Sequence, residues 1–228
     1  MPGRPQRNLV TLLTLLPEME NKVLVDVGCG RAEGTIRFAA KTNARLILVD
    51  ESQEALKQAA KTARGLNVDA QIIRGNAMRL DIPMETVDAF YSEGMIEHHR
   101  ERDRLKILGQ IYKKLKPGGR LVITVPNPES IPYRTNKAIQ QITGQWAYGR
   151  MAELTRRKLE QELQTAGFAI VKRGGTNAYS SHVLGPFYYL KPVRNRVRRI
   201  LLSRDLNVRS GPNKYFGMET TVLAVKHR

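Results

Sequence analysis

Val23-Leu24-Val25-Asp26-Val27-Gly28-Cys29-Gly30-Arg31-Ala32-Glu33 is the stretch on which the fold turns. Val23 to Val27 is a short apolar run with a single acid, as expected of a buried strand. A glycine-rich turn follows, and Glu33 to Lys41 has a helical pattern. Gly28 grants backbone torsions that other residues resist, and Gly28 with Gly30 lets a ligand approach the main chain closely. Two nucleotide-binding readings fail here. The dinucleotide fingerprint G-x-G-x-x-G needs its third glycine at position 33, where Glu33 stands. An acidic side chain at that helix N-terminus would repel a pyrophosphate relying on it. The P-loop needs Gly-Lys-Ser/Thr, which this turn lacks.

Outward from the turn, strands and helices alternate through the first 125 residues. Leu46-Ile47-Leu48-Val49 is a second strand closed by Asp50. Ser52 is placed to cap a helix carrying Leu56, Ala59 and Ala63 at helical spacing, which Gly65 stops. Ala70 to Ile73 is a third strand, Val87 to Tyr91 a fourth. A helix over Leu105–Leu115 ends before Pro117-Gly118-Gly119, and Leu121 to Val125 is the fifth strand. After Pro126 the pattern loosens. Thr155 to Thr165 is a helix, Phe168 to Val171 a sixth strand, and Glu219 to Val225 a last one. The expectation is an α/β, doubly wound, Rossmann-like seven-stranded sheet, strands 1–6 parallel and the last antiparallel. Ligands in such a sheet sit at the carboxyl ends of the strands.

These residues resemble the class I S-adenosylmethionine-dependent methyltransferases, closest to the small-molecule group of the quinone-biosynthesis kind. Asp26, Gly28 and Gly30 match the family's acidic residue and glycine motif, with Ala32 in place of the third glycine. The resemblance implies that this loop wraps the methionine end of S-adenosylmethionine and that Asp26 holds its amino group. It implies that Asp50 accepts both ribose hydroxyls, with Glu51 a neighbour of less claim; the alternative is a helix cap. Gly75-Asn76-Ala77 stands where the family has G-D-A, so Asn76 would take the adenine amino group and the Ala77 amide a ring nitrogen; the alternative is a plain turn. Asp88 to His99 looks like the family's fourth strand and its trailing motif, with Ser92 and Glu93 facing the cofactor. Leu115-Lys116-Pro117-Gly118-Gly119-Arg120-Leu121 resembles the turn before the family's fifth strand. The whole chain then reads as one methyltransferase domain, with an N-terminal helix or lid over 1–22, a variable cap over 127–152, and a basic insert over 176–214.

The resemblance names no catalytic base. Methyl transfer from a sulfonium is an in-line displacement with a neutral leaving group, so positioning carries most of it. A base matters only for a poorly acidic nucleophile, and Glu93, His98 and Tyr133 are the candidates, followed by Tyr148 and His182. His98-His99 does not make a metal site, since adjacent residues point apart on a helix and no third ligand has matching spacing.

Composition bounds the partners. The chain has 228 residues, 41% hydrophobic, with one cysteine, Cys29. No internal disulfide forms, and a cytoplasmic location, peripheral at a membrane, is the expectation. No apolar run approaches the ~18 residues needed to span a bilayer. The apolar Leu9–Leu16 run after Arg4 and Arg7 mimics a signal peptide, but Glu18 and Glu20 follow without a small-residue cleavage site. The net charge is +17, of which +10 falls on residues 151–228. Such a field attracts anionic partners. Val193, Val197, Ile200 and Leu201 share one face of the 190–204 segment, while Arg194, Arg196, Arg198 and Arg199 crowd elsewhere. That pattern suits an anionic membrane surface, a phosphate backbone, or a solvated helix packed on the domain. The leading acceptor is small-molecule or lipid-like. The alternative is RNA, against which stands the absence of an N-P-P-Y-type tetrapeptide after the fourth strand.

Overall fold

The computed structural model describes residues 4–177 and 217–227. In chain order the elements are α1 (Arg4–Leu15), β1 (Val23–Val27), α2 (Glu33–Thr42), β2 (Arg45–Asp50), α3 (Gln53–Gly65), β3 (Ala70–Arg74) and β4 (Val87–Glu93). A single 3₁₀ turn (Ile96–His98) leads to α4 (Glu101–Lys114), β5 (Leu115–Pro126), α5 (Ile131–Ile142), α6 (Arg156–Thr165), β6 (Phe168–Asn177) and β7 (Gly217–Lys226).

The strands form one seven-stranded sheet in the order β3-β2-β1-β4-β5-β7-β6. β1 pairs in parallel with β2 and β4, and β2–β3 and β4–β5 are parallel as well. β7 inserts between β5 and β6, antiparallel to both. Strands 1–6 thus share a direction and only the last is reversed, as the sequence pattern leads one to expect.

The alternation of side chains along each strand divides the core in two. Val25, Val27, Leu121, Ile123, Val222 and Ala224 face Ile107, Leu108, Ile111, Leu159 and Leu163 of α4 and α6. Leu24, Leu46, Leu48, Val122 and Leu223 face Leu12 and Leu16, Ile36 and Phe38, and Ala59 and Ala63 of the α1–α3 side. Burial on both faces is why the inner strands read as nearly unbroken apolar runs. β3, at the sheet's edge, is largely exposed.

Three boundaries differ from the sequence reading. β5 begins at Leu115, so Lys116 to Gly119 form a tight bulge within the strand, at the register shift opposite Val87 to Ala89, where the sequence reading has a turn before it. A Cβ at Gly119 would come 2.8 Å from the Lys116 carbonyl oxygen, so only glycine lets the chain double back this tightly. β6 runs on past Val171 to Asn177 because β7 supplies a partner along its full length. The 127–152 region contains a capped helix: Ser130 Oγ accepts the Tyr133 amide at the N-terminus of α5. Among the described residues no helix is long and apolar enough to cross a membrane.

Candidate active site

The glycine turn sits where β1 ends between its neighbours β2 and β4. Gly28 and Gly30 both have positive φ (68° and 54°). The Gly28 and Cys29 amides donate to the Val49 carbonyl, which pins the turn to the end of β2. A Cβ on Gly28 would lie 2.4 Å from Met95 Cγ, so the turn is packed under a methionine as well as bent. At Gly30 no heavy atom lies within 4 Å of such a Cβ, so that face is open. Ala32 adopts φ 51°, ψ 21°, a left-handed conformation normally left to glycine, as the last residue before α2. That geometry explains why the family pattern has glycine at this point; alanine holds it at a cost of roughly 1–2 kcal/mol. Cys29 is half-buried, and burial pushes its thiol far up.

Asp26, on β1, is buried, and Thr35 Oγ1 on α2 lies 2.7 Å from its Oδ2. Burial raises the Asp26 carboxyl to about 7; the Thr35 hydroxyl works against this, and the Glu93 and Asp50 carboxylates add to it. Asp50, at the end of β2, accepts the Gly30 amide on Oδ2 and the Ser52 amide on Oδ1, each at 2.8 Å. Ser52, not Asp50, caps α3, with its hydroxyl accepting the Ala55 amide. Each Asp50 oxygen therefore retains lone pairs for further donors. Glu51 is exposed and accepts the Asn76 amide nitrogen at 2.5 Å. Asn76 Oδ1 accepts the Met78 amide at 2.7 Å, so Asn76 shapes its own turn while standing at the end of β3; Ala77 packs on the core beside it.

Ser92 and Glu93 part company. Ser92 is buried and donates to the Val27 carbonyl at 3.1 Å, tying β4 to β1, where the sequence reading has it facing the cofactor. Its neighbour Glu93 turns outward: its Oε2 accepts the Tyr91 hydroxyl at 2.8 Å and the Asn8 side-chain amide of α1. Tyr91 is buried, and burial followed by the Glu93 carboxylate pushes its phenol well up.

Beyond Glu93 opens a cavity of about 330 Å³ at the carboxyl ends of β4 and β5. Glu97, His98, Tyr133, Tyr148 and Glu219 line it, so of the five base candidates Glu93, His98, Tyr133 and Tyr148 meet there. His182 lies outside the described residues. A larger depression, about 560 Å³, lies at the amino ends of β1–β3 among Asn21, Asn43, Arg45 and Asn67, and brings none of these residues in. The sequence reading missed four contributors: Asn8, Thr35, Tyr91 and Met95. Thr35 and Met95 meet the turn only through folding, and a lone Asn in a helix carries no signal. Tyr91 had one, a tyrosine two residues before an acid on a strand, which puts both on the same side.

The methyltransferase domain family matches residues 24–119, from β1 into β5. Phosphoethanolamine N-methyltransferase 3 of Arabidopsis thaliana is 28% identical over 152 residues, 64% of this chain and 30% of the relative. The 27-O-demethylrifamycin SV methyltransferase of Amycolatopsis mediterranei (strain S699) is 28% identical over 126 residues, 53% of this chain and 46% of the relative. The chain thus spans less than half the length of these curated relatives. Among solved structures, geranyl diphosphate C-methyltransferase of Streptomyces coelicolor A3(2), in complex with Mg²⁺, geranyl diphosphate and S-adenosyl-L-homocysteine, superposes with a TM-score of 0.64 at 15% identity, over 98% of this chain and 80% of that one. The β1 turn, the carboxylates of β1 and β2, and the match across residues 24–119 agree: this stretch is a methyltransferase domain, for which S-adenosylmethionine is the cofactor.

Proposed function

We propose that the chain methylates a small-molecule acceptor bound in the cavity beyond Glu93, with the cofactor held at the ends of β1, β2 and β3. The residues fit that cofactor. Asp26 is a buried carboxyl raised by burial and by the neighbouring Glu93 and Asp50 carboxylates, surroundings that suit an incoming ammonium group. Asp50 is held by two backbone amides with lone pairs left for a pair of hydroxyls. The open face at Gly30 gives the chain's closest approach. Asn76 and the Ala77 amide stand at the end of β3 for a base edge. When bound, the sulfonium supplies an electrophilic methyl group for in-line displacement and departs as a neutral thioether. The protein's part is to place the acceptor, to exclude water under α1 and α5, and to take a proton where the nucleophile carries one. Glu93 is the first choice for that proton because Tyr91 and Asn8 fix its carboxylate at the cavity mouth.

The observation that carries this reading is the position of Glu93, which acts electrostatically on Asp26 and also lines the cavity. Cofactor side and acceptor side therefore adjoin. The curated relatives named above act, by their names, on phosphoethanolamine and on a demethylrifamycin, both small molecules. The charge of +17 favours RNA as a second reading. Calorimetry should show S-adenosylmethionine binding that is lost in Gly28→Val, whose branched side chain has no room beside Met95, and weakened about ten-fold in Asp50→Ala. Equal affinity in all three proteins refutes the site. Transfer of labelled methyl to fractionated metabolite, lipid, protein and RNA pools then decides the acceptor class, with label in RNA alone sinking the small-molecule reading.

A further inference from the structure

We propose that the outer face of α5 docks on a bilayer surface carrying anionic lipid, which places the cavity lined by the helix's other side next to the membrane. α5 is amphipathic in the inverse sense. At 3.6 residues per turn Tyr133, Asn136 and Gln140 share one side, and these three line the cavity. Ile131, Thr135, Ile139 and Ile142 share the opposite side. The three isoleucines are 55%, 43% and 86% exposed. A surface helix ordinarily turns its apolar stripe to the core and its polar side to water. Among the described residues six large apolar side chains are more than 40% exposed, and four of them, these isoleucines and Tyr148, fall within residues 131–148. Such clustering marks a contact surface, whereas scattered exposed hydrophobics need no explanation.

Charge and area say what the occupant is. From Ser130 to Ala152 there is no acid, while Arg134, Lys137 and Arg150 are present. Lys137 pairs with Glu153 at 2.9 Å; Arg134 and Arg150 are exposed. An apolar stripe flanked by arginine is the pattern of a helix lying in the lipid interface, with its apolar side among the acyl chains and its cations at anionic headgroups. Trp146 and Tyr148 follow the helix, and both residue types favour that interface. A second copy of the chain fits less well. A 12-residue helix offers a face about 18 Å long and about 10 Å wide, or roughly 180 Å². Each partner in a stable protein interface gives about 800 Å². Partition into lipid has no such minimum, because it grows with each apolar group buried.

The test reads binding alone and is independent of methyl transfer. The full chain is mixed with phosphatidylcholine vesicles, with and without phosphatidylserine, and bound protein is measured by flotation. It should bind the anionic vesicles about ten-fold or more tightly than the neutral ones. Ile139→Asn with Ile142→Asn should weaken that binding by about ten-fold or more, and Arg134→Gln by about five-fold. These side chains are exposed and none lines the cavity, so the variants should match the wild type in thermal unfolding. Ile142→Trp puts a reporter at the most exposed position of the helix. Its indole should be quenched by phosphatidylcholine brominated in the acyl chains, beyond any quenching of the native Trp146. Should the double variant unfold, Arg134→Gln and Ile142→Trp decide alone. No vesicle binding, equal binding to neutral and anionic vesicles, or binding that the isoleucine variants leave unchanged overturns the proposal. So does an indole introduced at position 142 that brominated lipid does not quench. A wild-type dimer in sedimentation that the isoleucine double variant dissociates makes a second copy the occupant and overturns it as well.

Discussion

Asp26 shows how much one residue's setting decides. In the sequence it is an acid before two glycines, a match to a motif. In the fold it is buried, and its carboxyl rises from 3.8 to about 7. The native state then holds a proton that the unfolded chain releases near pH 4. The Asp26 contribution to stability is therefore full below pH 4 and declines as pH rises through 7. Denaturant titrations of the cofactor-free protein from pH 4 to 8 should show this decline, and Asp26→Asn should remove it. A bound ammonium group favours the ionised carboxylate. S-Adenosylmethionine affinity in the wild type should therefore climb by up to about ten-fold per pH unit below 7 and level off above it. A pH-independent affinity would place the ammonium elsewhere. Asp50 and Asn76 were legible as residues at strand ends, but their hydrogen bonds were not. Ser52 takes the capping role from Asp50, and Asn76 turns its oxygen to the Met78 amide. Ser92 was read as facing the cofactor because it precedes Glu93 at the end of a strand. Alternation along β4 puts the two on opposite faces, and Ser92 fell to the inner one.

At the scale of elements, α4 and α6 are joined by a buried ion pair that no periodicity announces. Arg104 Nε and Nη2 donate to the two Glu162 oxygens at 2.8 and 2.6 Å, and Nη1 donates to the His99 carbonyl at 2.8 Å. The two residues lie 58 apart in the chain. At exposures of 6% and 3% for the side chains, neither charge has much water to fall back on. Arg104→Ala should cost about 3–5 kcal/mol by stranding Glu162. The double variant Arg104→Met with Glu162→Leu should recover most of that, because both charges leave together. Urea titrations measure both, and a double variant as unstable as the single would show that packing, not charge, holds the two helices. The pair also fixes the His99 carbonyl, and through it the 3₁₀ turn that carries Glu97 to the cavity.

For the whole molecule the unusual number is charge. The +10 on residues 151–228 sits mainly in a stretch outside the described residues, and with it the four arginines of the 190–204 segment. Their proposed role, holding an anionic surface, makes a prediction separate from the site. Replacing Arg194, Arg196, Arg198 and Arg199 with Gln should leave S-adenosylmethionine affinity unchanged, since every candidate cofactor residue lies between Asp26 and Glu93. It should weaken binding to phosphatidylserine vesicles or to RNA and flatten the salt dependence, because each lost contact removes part of that slope. Unchanged binding to both would leave the segment a packing element.

The sequence by itself determined the strands and helices, their order along the chain and the glycine turn. Each of these rests on local pattern: runs of apolar residues, caps, and glycines where torsions demand them. Only the tertiary structure decided the site's chemistry. Thr35 meets Asp26, Met95 closes over Gly28, Asn8 reaches Glu93 across 85 residues, and three glutamates from separate elements share one cavity. Such contacts depend on which strands become neighbours and which helix crosses them, and hydrophobic burial sets that for the chain as a whole. Periodicity is read within one element, whereas a site is made between several, and a carboxyl's pKa follows from the water it loses there.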